Sequence, residues 1–165
     1  MTTNHNYFID LAFQIAEKNL GRTKLNPSVG TVVVKNDTVI SSAVTSYNGR
    51  PHSEFNALNN LKNCTGASLY TTLEPCTHYG ETPPCVNIII KKKIKKVFYA
   101  FADPDIRTFK KAEKFLKRKG IKTKMIKTKK YSGFYKSYFI NKKLSIPLIT
   151  GKIATSKDYL TINKK

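Results

Sequence analysis

No apolar run in these 165 residues approaches the roughly 20 needed to cross a bilayer, so no membrane span is expected. Met1 to Asp10 shows no basic segment followed by an apolar core, and no secretory signal is read there. Cysteine occurs three times only. That odd, small number excludes a disulfide framework and points to a reducing, cytoplasmic setting. Internal repeats and low-complexity linkers are lacking, and the length suits one domain with a full hydrophobic core.

Acidic residues are scarce in one half. Residues 1–90 balance 6 Lys+Arg against 6 Asp+Glu, whereas residues 91–165 hold 24 against 4, and the formal charge is +20. A polyanion-binding face is one reading of this excess. The shortage of arginine opposes it, since 26 of the 30 basic residues are lysine. A dedicated phosphate or base reader favours the two-pronged guanidinium. Drift toward Lys, Asn and Ile codons accounts for the pattern, so neither a specific nucleic acid nor a membrane is expected as partner.

Hydrophobic periodicity outlines alternating elements. Tyr7 to Leu20 reads as an amphipathic helix stopped by Gly21. Two strands follow, Val29 to Val34 and Thr38 to Thr45, joined by an Asn36-Asp37 turn. Helices are expected over His52 to Asn63, Pro84 to Lys91, Arg107 to Lys119 and Phe134 to Ile140. Strands are expected over Ser68 to Leu73, Val97 to Ala102 and Ile121 to Ile126. Regular alternation from the third strand onward argues for crossover units on a mixed sheet with helices on both faces.

The metal-ligand residues stand out against this background. His52-Ser53-Glu54 falls at one predicted helix start, and Cys85 at another; Cys76 lies between them. One imidazole and two thiolates leave a tetrahedral metal with an open position, the arrangement of a catalytic zinc rather than a structural one. Free N–H groups at helix starts favour the thiolate form. A carboxylate two residues after the His is placed to relay protons to and from an activated water. The short deaminase signature has two residues between its cysteines, and eight lie between them here. His78 is a rival ligand, but a fourth protein ligand would close the site to water, so it is expected to face substrate. Glu74 is expected to be a structural acceptor, and Cys64 a bystander.

The run TLEPCTHYGETPPC at 72–85, with NPSVG at 26–30, HSEFNAL at 52–58 and DPD at 103–105, resembles the deaminase domain of the riboflavin-biosynthesis deaminase/reductase family. The resemblance implies a three-layer α/β/α cytidine-deaminase-like fold with a mixed central sheet. It implies hydrolysis of an amino group on diaminohydroxyphosphoribosylaminopyrimidine, with ammonia released. His52, Cys76 and Cys85 would hold Zn2+ and Glu54 would relay protons. Asn26 matches the loop Asn that contacts the pyrimidine. His78, Thr82 and Asp103 match positions around the ring and ribose phosphate.

Departures from the family pattern lie close to those residues. Ser53 stands for the usual Ala, and Thr45 for a His. Glu81 replaces a basic residue that helps hold the phosphate, and Ile106 to Lys110 replace a glycine-rich stretch. Arg107, after it Arg50, or else a nearby Lys is the expected substitute for the missing positive charge. Pro147 to Asp158 resembles the first strand of the family's reductase domain. Residues 1–148 are therefore expected to form the deaminase domain and 149–165 a tail, with a separate reductase and a homo-oligomer as possible partners. The competing readings are a tRNA or other nucleic-acid base deaminase, and a non-catalytic zinc-binding module.

Overall fold

The computed structural model describes residues 4–159 and Thr161. The parts of the terminal readings that fall on residues 1–3, Leu160 and 162–165 lie outside the described residues. In chain order the elements are α1 (His5–Glu17), β1 (Gly30–Lys35), β2 (Thr38–Val44), a 3-10 turn (Tyr47–Gly49), α2 (Ser53–Asn59), β3 (Ser68–Leu73), α3 (Cys85–Lys91), β4 (Lys96–Phe101), α4 (Ala112–Lys117), β5 (Lys122–Met125) and α5 (Lys136–Leu144). Among the described residues no helix is long and apolar enough to cross a membrane.

The strands form one mixed sheet in the order β2-β1-β3-β4-β5. β1 pairs antiparallel with both β2 and β3. The β1–β2 hairpin turns on Asn36 and Asp37, both at positive φ (51° and 56°), as a two-residue primed turn requires. β3, β4 and β5 run parallel, joined through α3 and α4. Parallel neighbours need such crossovers, and the carboxyl ends of their strands then open onto one crevice.

Both faces of the sheet are buried at its centre, and β1 and β4 accordingly carry the apolar runs Val32 to Val34 and Val97 to Phe101. Val32, Val34, Tyr70 and Phe98 pack on one side with α1. Val33, Leu69 and Val97 point the other way, into a core shared with α2, α3 and α4. The result is the expected three-layer α/β/α arrangement. α5 has no buried residue of its own, and joins the first face through the preceding Tyr135 and the half-buried Tyr138 and Phe139. α1 lies unusually close to β1. A Cβ on Gly30 would stand 1.9 Å from the Ala12 carbonyl oxygen, so only glycine fits there.

Several helix boundaries differ from expectation. The first helix, expected over Tyr7 to Leu20, spans His5–Glu17. The helix expected from Arg107 begins at Ala112. Carboxylates take its leading N–H groups: Asp105 accepts from the Arg107 N–H at 3.0 Å, and Glu74 from those of Lys110 and Ala112, each at 3.0 Å. α2 stops at Asn59, where the Lys92 ammonium binds the carbonyls of Asn59 (3.0 Å) and Leu61 (2.7 Å). α5 begins at Lys136 and runs past Ile140 to Leu144, so its last turn carries Lys142.

Candidate metal centre and active-site cleft

His52 is the residue that enters α2, with extended backbone (φ −70°, ψ 158°) and no side-chain capping bond. Its ring is therefore free to turn toward the cysteines. Cys85 is the first residue of α3, immediately after Pro84. The eight residues between the cysteines form an excursion that closes on itself: the Cys85 N–H donates to the Cys76 sulfur at 3.2 Å, and the Val86 N–H to the Cys76 carbonyl at 3.3 Å. His52 Nδ1 then lies 3.6 Å from Cys76 Sγ and 3.4 Å from Cys85 Sγ. All three ligand atoms fall within 4.8 Å of one another. Bond lengths of ~2.3 Å to sulfur and ~2.0–2.1 Å to nitrogen around a tetrahedral zinc separate N from S by about 3.5 Å. The donor set and its spacing thus fit zinc.

The charges at this centre favour a dication. The Cys76 thiol is held low, at about 4, chiefly because the Cys85 side chain hydrogen-bonds to its sulfur, with His52 adding to the effect. Cys85 is raised by that same bond and by burial. Burial alone would lower the His52 imidazole, but its bond to Cys76 and the Glu54 charge outweigh it and raise it. A bound metal requires neutral imidazole and thiolates, so it releases the protons still held here. His78 is not part of the cluster; its Nδ1 lies 3.0 Å from the Thr108 hydroxyl.

Glu54, in the first turn of α2, is buried and lines the same cleft as His52 and Cys76. Burial pushes its carboxyl up, and the His52 charge opposes this. The Ser53 hydroxyl donates to Glu54 Oε2 at 3.2 Å and sits 2.7 Å from the Thr31 hydroxyl. The serine in place of alanine is thus satisfied within the core. Glu74, equally buried, has a different part. Its Oε2 accepts from the Asp103 and Lys110 N–H groups (3.2 and 3.0 Å), and its Oε1 from Ala112. It is the structural acceptor expected, fastening the loop after β4.

That loop brings Asp103 and Arg107 to the wall of the cleft that Asn26 and His78 also line. Asp103 accepts from the Tyr138 hydroxyl and the Asp105 N–H, each at 2.9 Å. Asp105 is gripped by Arg107 through Nε (2.9 Å) and Nη2 (2.6 Å), and by Lys142 Nζ at 3.1 Å. These bonds, the Arg107 fork above all, hold its carboxyl far below the usual range. Thr82 lies away from this cleft, in the neighbouring groove, where it accepts from Arg50 Nη1 at 2.8 Å. Arg50 also pairs with Glu81 at 3.3 Å, so Glu81 does not confront the cleft as an unpaired carboxylate. Thr45 lines the cleft where a His was noted as missing.

Two cleft residues went unread in the sequence, Tyr138 and Lys142 of α5. The available signal was their separation of four, which puts both on one helix face. The expected helix ended at Ile140, before Lys142.

Residues 2–101 match the sequence model described as the cytidine and deoxycytidylate deaminase zinc-binding region. The chain is 32% identical over 143 residues to the diaminohydroxyphosphoribosylamino-pyrimidine deaminase of Buchnera aphidicola subsp. Schizaphis graminum, covering 86% of this chain and 97% of that one. The chain belongs to the riboflavin-biosynthesis deaminase family. It is also 36% identical over 154 residues to the riboflavin biosynthesis protein RibD of Bacillus amyloliquefaciens, covering 92% of this chain and 42% of that relative. Among solved structures, Acinetobacter baumannii RibD superposes with a TM-score of 0.85 at 34% identity, over 93% of this chain and 44% of that one. The chain therefore spans less than half the length of these RibD relatives. His52, Cys76 and Cys85 all lie within the residues matched to the family's zinc-binding region.

Proposed function

We propose that this deaminase-family chain hydrolyses an amino group of diaminohydroxyphosphoribosylaminopyrimidine, releasing ammonia, as a step of riboflavin biosynthesis. The observation that carries the reading is the His52–Cys76–Cys85 cluster at tetrahedral spacing, with the buried Glu54 carboxylate in the same cleft. The nearly full-length match to a relative of that name supports the choice of substrate.

In this reading His52, Cys76 and Cys85 hold zinc. When bound, zinc supplies a Lewis acid and lowers the pKa of water. Glu54 accepts a proton from the attacking water and delivers one to the departing amine, as a buried carboxylate in the same cleft is placed to do. Asn26 and His78, which both line the cleft, contact the pyrimidine, and Asp103, fixed by Tyr138, contacts the ribose side. Thr82 contributes by holding Arg50. The small number of cysteines, two of them in the metal cluster, supports a cytoplasmic setting. A homo-oligomer and a separate reductase acting on the product complete the proposal.

The deciding assay measures ammonia release by zinc-loaded protein from the diaminopyrimidine ribotide, beside cytidine and tRNA. Turnover of the ribotide alone is expected. Preferential turnover of tRNA or cytidine, or none of any substrate by protein with full zinc content, overturns the proposal.

A further inference from the structure

The family's basic residue before Thr82 is Glu81 in this chain, so a phosphorylated substrate needs a cation from elsewhere. Three cationic side chains line the cleft: Arg50, Arg107 and Lys142. Arg50 is balanced one-to-one by the Glu81 carboxylate through Nε, and its Nη1 binds Thr82. The Asp105 cluster differs. Two cations there share one carboxylate, and they lie outside it: the Asp105 side chain is 8% exposed, Lys142 31% and Arg107 55%. A ligand arriving from solvent meets the cations first.

Their donors are only partly used. Arg107 spends Nε and Nη2 on Asp105 while Nη1 has no partner among the described residues. Lys142 spends one N–H on Asp105 and rests over the Tyr138 ring, 5.7 Å from its centre. Asp103, the nearest other carboxylate, is already engaged by the Tyr138 hydroxyl and the Asp105 amide. The cluster is thus a pair of tethered cations with open donors at the rim of a cleft that already holds the candidate chemistry.

We propose that Lys142 of α5, together with Arg107, holds the phosphate of the substrate, with Asp105 fixing both cations in place. The proposal rests on the deaminase reading above and specifies how its substrate is recognised. A phosphomonoester carries close to two negative charges at neutral pH and three strong acceptor oxygens. An ammonium and a guanidinium with spare N–H groups match both features.

The test uses the full, zinc-loaded chain with Lys142→Gln. Asp105 keeps its Arg107 fork in this variant, so the fold is expected to stand, which a melting curve verifies. The KM for the ribotide is expected to rise about tenfold, the worth of one charge-assisted hydrogen bond. The kcat should stay within about twofold, the dephosphorylated riboside should be unaffected, and Lys142→Arg should recover most of the loss. Lys122→Gln on β5 is the control and should behave as the parent. An unchanged KM, or an equal loss on ribotide and riboside, overturns the proposal. If the parent deaminates neither compound, the deaminase reading fails on its own. Calorimetric binding of ribose 5-phosphate then decides the anion site, supporting it if Lys142→Gln weakens binding about tenfold and refuting it if binding is equal.

Discussion

Replacing Glu74 by Gln tests the separate parts assigned to two buried carboxylates, Glu54 and Glu74. Glu74 presents two oxygens to three backbone N–H groups, those of Asp103, Lys110 and Ala112. An ionised carboxylate accepts all three. An amide has one accepting oxygen, so in either orientation at least one N–H faces another donor. Orphaning a buried N–H costs about 1–3 kcal/mol. The bonds that survive lose their charge assistance, roughly half their strength. Burial pushes the Glu74 carboxyl up, so removing the charge returns part of that cost. A net loss of about 2 kcal/mol remains, which lowers the melting temperature of a chain this size by about 4–8 °C. Thermal and urea unfolding at saturating zinc would measure it. Because the loop carries Asp103 and Arg107, KM should rise, while kcat per folded molecule should fall only a few-fold. A variant that melts like the parent yet loses nearly all kcat would refute the structural role and make Glu74 the proton carrier.

Glu54→Gln should show the opposite pattern: one zinc per chain by metal analysis and a parental melting curve, with ammonia release reduced at least about 100-fold. Retained activity above a few per cent would assign the proton transfer elsewhere. Gly30→Ala places a methyl 1.9 Å from the Ala12 carbonyl oxygen, and α1 must shift to admit it. A loss of about 3 kcal/mol, read as a fall of about 6–12 °C in melting temperature, is expected, and an unchanged melt contradicts the close approach. RNA and DNA should bind weakly, without sequence preference, and lose affinity steeply between 50 and 200 mM salt in filter-binding assays. Selective binding at physiological salt would show the lysine-rich half to be a true nucleic-acid surface.

The order of elements was legible because the strands advertise themselves. Val32 to Val34 is an apolar run because both faces of β1 are covered, and Gly120, at positive φ, lies shortly after the end of α4. The metal cluster was legible because few residue types bind zinc, and His52, Cys76 and Cys85 fall at element ends where side chains converge. The start of α4 was hidden because carboxylates distant in sequence decide it: nothing local to residues 107–111 reveals that Glu74, more than thirty positions earlier, takes the N–H groups of Lys110 and Ala112. Lys142 was hidden for the reverse reason. It is one of 26 lysines, and only the packing of α5 through Tyr135, Tyr138 and Phe139 carries it to the cleft. At Glu81 the sequence shows only that a basic residue is replaced; the structure adds that the carboxylate pairs with Arg50.

That last pair explains how recognition and chemistry can change separately in this fold. Glu81 is 85% exposed, so its bond to Arg50 is screened and worth at most about 1 kcal/mol. It neutralises an unfavourable charge without building a rigid anion site, and it commits Arg50 in doing so. The firm cationic structure lies across the cleft, on the loop after β4 and on α5, where a buried carboxylate fixes two cations at once. The ligand cluster and Glu54 depend on other parts: the starts of α2 and α3 and the bond between Cys85 N–H and Cys76 sulfur. No residue of the Asp105 cluster donates to those ligands. A phosphate contact can therefore move from the 77–84 loop to the 103–107 loop and α5 while the metal centre keeps its geometry.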